Sequence, residues 1–146
     1  MYKHIILAYD GSASGQNALL NIKELAHWDN TKFTLLAVVP SMLDTGSFEV
    51  GYLPTPDLKS YEEGLKNQLR RGVKFLRSMG FDAEGDLRQG EVIHELTRFA
   101  KEKSADLIVV GHKHEKNILK RWWAGSTAKS IVEEATCNVL IVINNN

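Results

Sequence analysis

Cysteine occurs once in the 146 residues, as Cys137. No internal disulfide and no cysteine-based zinc cage can form from a single thiol, a usage that fits a reducing compartment. Cys137 lies beside an apolar run, where a structural, buried thiol is expected rather than a nucleophile. Only three prolines are present, and no repeat, low-complexity tract or Pro/Ser-rich linker divides the chain. The length then fits one domain over residues 1–146 with one core. Net charge is also lacking: 18 Lys and Arg balance 18 Asp and Glu. No overall field draws the molecule to nucleic acid or to an anionic membrane, and any attraction for anions must be local. The longest apolar runs, Leu107–Val110 and Val139–Ile143, fall far short of the roughly 18 to 20 residues that cross a bilayer. Met1 to His4 leads directly into Ile5–Tyr9, too short for a signal core and without a small-residue cleavage site, so a cytoplasmic location is expected. Neither a Walker sequence nor a Gly-x-Ser-x-Gly elbow occurs, and spacing alone supports no catalytic assignment.

What is present is ordinary globular material, 43% hydrophobic and 25% charged, which excludes disorder as the main state. Apolar runs alternate with helical stripes. His4–Tyr9 and Phe33–Val39 read as strands buried on both faces, Leu107–Val110 and Val139–Ile143 as further strands, and Phe81–Arg88 alternates weakly as an edge strand. Between them, Ala18, Leu19, Ile22, Leu25 and Ala26 recur at helical spacing, with Ser12 or Ser14 as N-cap. A second stripe runs through Leu58, Tyr61, Leu65, Leu69, Val73 and Leu76 and ends at Gly80, a C-cap glycine. Val92, Ile93, Leu96, Phe99 and Ala100 form a third, and Ser126–Ala135 a fourth with Ala128, Ile131, Val132 and Ala135 inward. Parallel strands need crossover helices, so this alternation predicts a Rossmann-like α/β sandwich with helices on both faces of a parallel sheet. Ligands of such sheets bind beyond the carboxyl ends of the strands, where strand order reverses. Three loop starts become candidates: Asp10-Gly11-Ser12, Val39-Pro40-Ser41 and Gly111-His112-Lys113.

Gly125-Ser126-Thr127 opens the fourth helix, so unpaired N–H groups, two hydroxyls and the positive end of the helix dipole meet there. Lys113, Lys116, Lys120 and Arg121 precede it against one acid, Glu115. The combination suits a phosphate, and it equally suits an ordinary helix cap beside a solvated basic loop. Asp10 can hold magnesium or a ribose hydroxyl, or simply make the turn with Gly11 and Ser12. Asp106 precedes its strand, at the wrong end of the sheet, and is assigned a structural role. His112 and His114 lack third and fourth ligands, and the surrounding cations oppose a metal. His4, His27 and His94 are read as local structural groups, and Trp122-Trp123 as packing or interface residues that can also stack on a base.

Ile5 to Ser12, Ala105 to Gly111, Gly125-Ser126 before a helix and Cys137 to Val142 occur in this order along nearly the whole chain. In these segments the chain resembles the universal stress protein family. That resemblance implies an adenine nucleotide alpha hydrolase-like fold, a five-stranded parallel sheet in the order 3-2-1-4-5, and a stress-response homodimer formed through the last strand, Val139–Ile143. One branch of the family binds ATP. By resemblance, Asp10 and Gly11 would lie near ribose or metal, Val39 and Pro40 would border adenine, and Gly111, Gly125, Ser126 and Thr127 would approach ribose and phosphates. The branch's fingerprint is Gly, two residues, Gly, nine residues, Gly, then Ser or Thr. Here His114 replaces the middle glycine, and ten residues, Glu115 to Ala124, separate it from Gly125. Histidine brings a Cβ where glycine allows close backbone approach, although an imidazolium can itself contact phosphate. The resulting expectation is a nucleotide-binding protein holding ATP or a related adenine nucleotide, with magnesium as a possible companion and at most slow hydrolysis. No positioned base or arginine finger is recognisable for fast phosphoryl transfer. The alternative is a nucleotide-free dimeric signalling or interaction module. The segment Ser41–Asp57 is expected to be a long loop over the cleft or at the dimer contact.

Overall fold

The computed structural model describes residues 2–9, 15–16, 18–19, 21–22, 29–39, 55–113 and 127–144. Five strands run through them: β1 (His4–Ala8), β2 (Lys32–Val39), β3 (Asp82–Gln89), β4 (Leu107–Lys113) and β5 (Asn138–Asn144). Three complete helices accompany them: α1 (Thr55–Ser78), α2 (Val92–Glu102) and α3 (Thr127–Glu134). Residues 15–16, 18–19 and 21–22, between β1 and β2, are also helical. All strand pairs are parallel, in the order β3-β2-β1-β4-β5, as expected.

Strand side chains alternate between the two faces of the sheet, and each face carries its own core. On one face Ile5, Leu7, Phe33, Leu35, Ala37 and Val109 pack with Ala18, Leu19 and Ile22 and with Leu65, Leu69, Val73 and Leu76 of α1. On the other, Ile6, Ala8, Leu36, Val38, Ile108 and Val110 pack with Val92, Ile93, Leu96, Phe99 and Ala100 of α2 and Ile131 of α3. Three layers result, and the near-continuous apolar runs of the central strands are explained by burial on both sides.

The helix ends obey local chemistry. Gly80, at φ +89°, closes α1: its N–H donates to Arg77 O and that of Phe81 to Leu76 O, the paired bonds of a left-handed helix terminus. Ser104 closes α2 in the same way at φ 51°, with Ser104 N–H to Lys101 O and Ala105 N–H to Ala100 O. Glu91 caps the start of α2, its carboxylate accepting from the N–H groups of Ile93 and His94 at 3.1 and 2.7 Å.

The structure alters several expectations. Thr55, Pro56 and Asp57 belong to α1 rather than to a loop, since proline is well placed in a first helical turn. Tyr61 is 47% exposed although it shares the stripe. Val132 is 72% exposed because it is turned roughly 100° about the helix axis from the fully buried Ile131. Leu25, Ala26, Ser12 and Ser14 lie outside the described residues, and Leu58 and Ala128 have no described side chain.

Close contact between α1 and the sheet needs Gly72. A Cβ there would stand 2.6 Å from Leu35 Cδ1 and 2.9 Å from Tyr9 Cε1, and Tyr9 is the buried residue that follows β1. Gly72→Ala should therefore lower stability by about 1–3 kcal/mol through overpacking. Urea unfolding of the two proteins measures it, and an unchanged midpoint would show that Leu35 and Tyr9 yield without cost.

Candidate functional site

The order β3-β2-β1-β4-β5 places the reversal of chain direction across the sheet between β1 and β4. β1 is also short. Its last residue, Ala8, is level with Leu36 of β2 and Val110 of β4, whereas β2 continues through Ala37, Val38 and Val39 and β4 through Gly111, His112 and Lys113. Among the described residues the strand ends therefore form a notch three residues deep at the carboxyl edge, directly above the central strand. Tyr9 N–H still donates to Leu36 O at 2.8 Å, so the chain leaves β1 at the notch floor.

Val39 and Gly111 form the sides of this notch. Val39 is buried, and its carbonyl accepts the Gly90 N–H at 2.9 Å. Gly90 has φ +147°, and a Cβ there would lie 2.8 Å from Glu95 Cγ, so glycine is required where β3 turns into α2. The Gly90-Glu91 turn thereby becomes a neighbour of Val39. Glycine followed by a capping carboxylate at a strand–helix junction is the sequence signal that marks this turn, although only the pairing of β3 with β2 places it beside the site.

Gly111 lies inside β4, paired with Val142, and His112 and Lys113 pair with Ile143 and Asn144. This corrects the expectation that a loop begins at Gly111: β5 runs on to Asn144 and gives the end of β4 a hydrogen-bonding partner. Thr127 is the first residue of α3, whose opening N–H groups lack intrahelical acceptors. A helix joining two parallel strands runs back across the sheet, so this terminus faces the carboxyl edge. The structure thus brings Val39, Gly111 and the start of α3 to one edge. Asp10, Gly11, Pro40, His114, Gly125 and Ser126 lie outside the described residues, as do Trp122, Trp123 and His27.

The polar residues at the opposite edge are structural. Asp106 Oδ2 accepts from His4 N–H at 2.9 Å and from Lys3 N–H at 2.6 Å, and these two bonds hold its carboxyl below the usual range. His4 Nε2 lies 2.8 Å from Thr34 Oγ1, which donates to Glu84 Oε1 at 3.3 Å, so the fully buried Thr34 is satisfied. His94 Nδ1 stands 3.5 Å from Glu134 Oε2 and links α2 to α3. Burial, and then the nearby Asp106 carboxylate, push the Cys137 thiol up, which makes it a poor nucleophile. Among the described residues no three His, Cys, Asp or Glu side chains converge on a metal position, and no helix is long and apolar enough to cross a membrane.

The sequence pattern of the Universal stress protein family matches residues 1–142. This chain belongs to the universal stress protein family. It is 30% identical to the universal stress protein YxiE of Bacillus subtilis, covering 97% of this chain and 99% of that protein. Among solved structures of similar fold, the protein MJ0577 superposes with a TM-score of 0.78 at 22% identity, covering 100% of this chain and 99% of that one. A universal stress protein in complex with cAMP gives 0.67 at 22% identity, with 97% of each chain covered. An Arabidopsis thaliana family member with AMP bound gives 0.66 at 19% identity, covering 98% and 92%. These matches place the universal stress protein fold over the sheet and notch described above.

The bonds made by Asp106 also set a pH dependence. Its folded pKa is depressed, so the stabilisation is complete above the unfolded value and is lost as pH falls through the folded one. Asp106→Asn should cost about 1 kcal/mol at neutral pH by weakening two charge-assisted bonds. Thermal melts taken down to about pH 2 should show a shallower acid limb in the variant; parallel curves would remove Asp106 from the acid response.

Proposed function

We propose that this universal stress protein binds an adenine nucleotide in the notch above β1. The observation that carries the reading is the register of the sheet, in which β1 ends at Ala8 while Val39 and Gly111 stand on either side at the switch point. The relatives with cAMP and AMP bound support the ligand class. In this reading Val39 and Pro40 border the adenine, Asp10 and Gly11 meet the ribose or a magnesium ion, and Gly111, Gly125, Ser126 and Thr127 receive the phosphates through backbone N–H groups and hydroxyls. ATP is the nucleotide proposed, held rather than rapidly hydrolysed, in a cytoplasmic stress response. His114 in place of a glycine is the feature that favours the second reading, a nucleotide-free interaction module whose imidazole occupies the phosphate position.

The same reading makes the chain a homodimer through β5. That strand pairs with β4 on one side, it carries no charge or proline from Val139 to Ile143, and Ile141 and Ile143 are 39% and 55% exposed. An apolar edge of this kind is open to pairing with a second strand.

Two measurements test these points. Calorimetry and thermal shift with ATP and magnesium should show binding, because a ligand of the native state raises the melting temperature. Gly125→Val should weaken binding about tenfold or more by placing a branched side chain at the phosphates. The absence of heat and of any shift at millimolar nucleotide would defeat the nucleotide reading and leave the interaction module. For the dimer, sedimentation at micromolar concentration should give twice the chain mass, and Ile141→Lys with Ile143→Lys should give the monomer. A wild-type monomer would reject pairing through β5.

A further inference from the structure

The charge balance of the whole chain conceals a strong local asymmetry on α1. From Gly64 to Ser78 the helix carries Lys66, Arg70, Arg71, Lys74 and Arg77 and no acid. Residues three and four apart share a helix face, so Lys66, Arg70 and Arg77 form a row beside Leu69 and Val73, on the side toward β3. Lys66 is 3.5 Å from Glu62 and Glu63, whereas Arg70 contacts only the Asn67 amide oxygen, at 2.6 Å, and among the described residues it has no carboxylate partner.

Along this row runs a groove of about 360 Å3, lined by Lys66, Leu69, Arg70, Val73, Gly85, Asp86 and Leu87; the Asp86 carboxylate is engaged there by the Leu87 N–H. Its far wall is β3, the outer strand of the sheet. Peptide groups alternate in direction along a strand. Gly90 N–H reaches Val39 O on β2, so Ala83, Gly85 and Leu87 turn theirs outward. Two of these outward groups are covered: Arg77 Nε donates to Ala83 O at 2.8 Å, and Leu87 N–H donates to Asp86 Oδ1 at 2.8 Å. Such coverings guard an edge strand against indiscriminate pairing. Between them Gly85 is exposed, without a side chain, and its N–H and C=O have no partner among the described residues.

We propose that the α1–β3 groove is a docking site for a short, acidic, extended segment of another protein, which adds to the sheet at Gly85. One residue of an added antiparallel strand exchanges both hydrogen bonds with Gly85. Its side chain points to the α1 face and meets Leu69, Val73 and Leu87. The residues two positions before and after it point the same way, one toward Lys66 and Arg70 near Leu87 and the other toward Arg77 near Ala83, and acidic side chains there complement the row. The opposite face of β3 selects a peptide over a polyanion. Asp82 and Glu84 lie there, and Lys32, at 3.0 Å from Glu84, holds that carboxyl below its usual range and charged. A nucleic acid or anionic bilayer spreading across the edge is repelled by these acids, whereas a strand acidic on one face and neutral on the other is not.

The probe is a capped peptide, Thr-Glu-Thr-Val-Thr-Glu-Thr, with the lysine version Thr-Lys-Thr-Val-Thr-Lys-Thr as control. Titrated into the isotope-labelled full chain, the acidic peptide should move the Gly85 and Leu87 amide resonances saturably, with a dissociation constant below about 1 mM. Lys66→Glu with Arg70→Glu should weaken it about tenfold or more and shift preference toward the lysine peptide. Both residues sit on the outer part of α1, and Arg70→Gln with Lys66→Gln serves if the reversal unfolds the chain. The proposal is overturned if Gly85 does not respond at millimolar peptide or if the two peptides bind alike. It is also overturned if oligothymidylate or phosphatidylserine vesicles move these resonances while the peptide does not, or if they move with protein concentration alone, which would make the occupant a second copy.

Discussion

Everything at the carboxyl edge depends on β1 being hydrogen-bonded on both sides and stopping early. A central parallel strand cannot shift without breaking two ladders, and its side chains feed both cores: Ile5 and Leu7 one, Ile6 and Ala8 the other. The end of β1 is therefore held in register with both neighbours, and the notch above Ala8 inherits that rigidity. Val39 and Gly111, on the strands flanking β1, are thereby held in fixed register with its end.

The two ends of the sheet divide the work. At the amino edge, Asp106, His4, Thr34, Glu84 and Lys32 form a chain of polar contacts that stitches β1, β2, β3 and the turn before β4 together. Each buried polar atom in that chain meets a partner, which is what a structural network requires. At the carboxyl edge the strands end unevenly, with β2 and β4 reaching three residues beyond β1 and the Gly90-Glu91 turn alongside. The lateral edges differ as well. β5 presents exposed isoleucines, whereas β3 is polar and partly covered by Arg77 and Asp86. The sheet thus offers one apolar edge and one charged edge, with the exposed backbone of Gly85 on the latter.

Sequence pattern and structure agree wherever a local signal and a tertiary one coincide. The apolar runs became β1, β2 and β4 because central strands have few polar positions, the run at Val139–Ile143 became the edge strand β5, and Gly80 ended α1 because glycine accepts φ +89° at no steric cost. Agreement ends where a residue's fate depends on its opposite neighbour. Tyr61 and Val132 match helical periodicity yet are exposed, Val132 because it is turned away from the core that Ile131 enters. Gly111 reads as a loop because glycine breaks strands, but β5 is long enough to keep it paired.

The sequence alone determined the alternation of strands and helices, the assignment to a family and the choice of Val39 and Gly111 as candidate residues. These follow from composition and short-range order, which each segment carries within itself. The tertiary structure alone decided that β1 ends three residues below its neighbours, that Gly90 lies against Val39, and that the basic row of α1 runs beside the exposed backbone of Gly85. Strand register and the choice of face arise between segments distant along the chain, where only the packed sheet sets which residues meet.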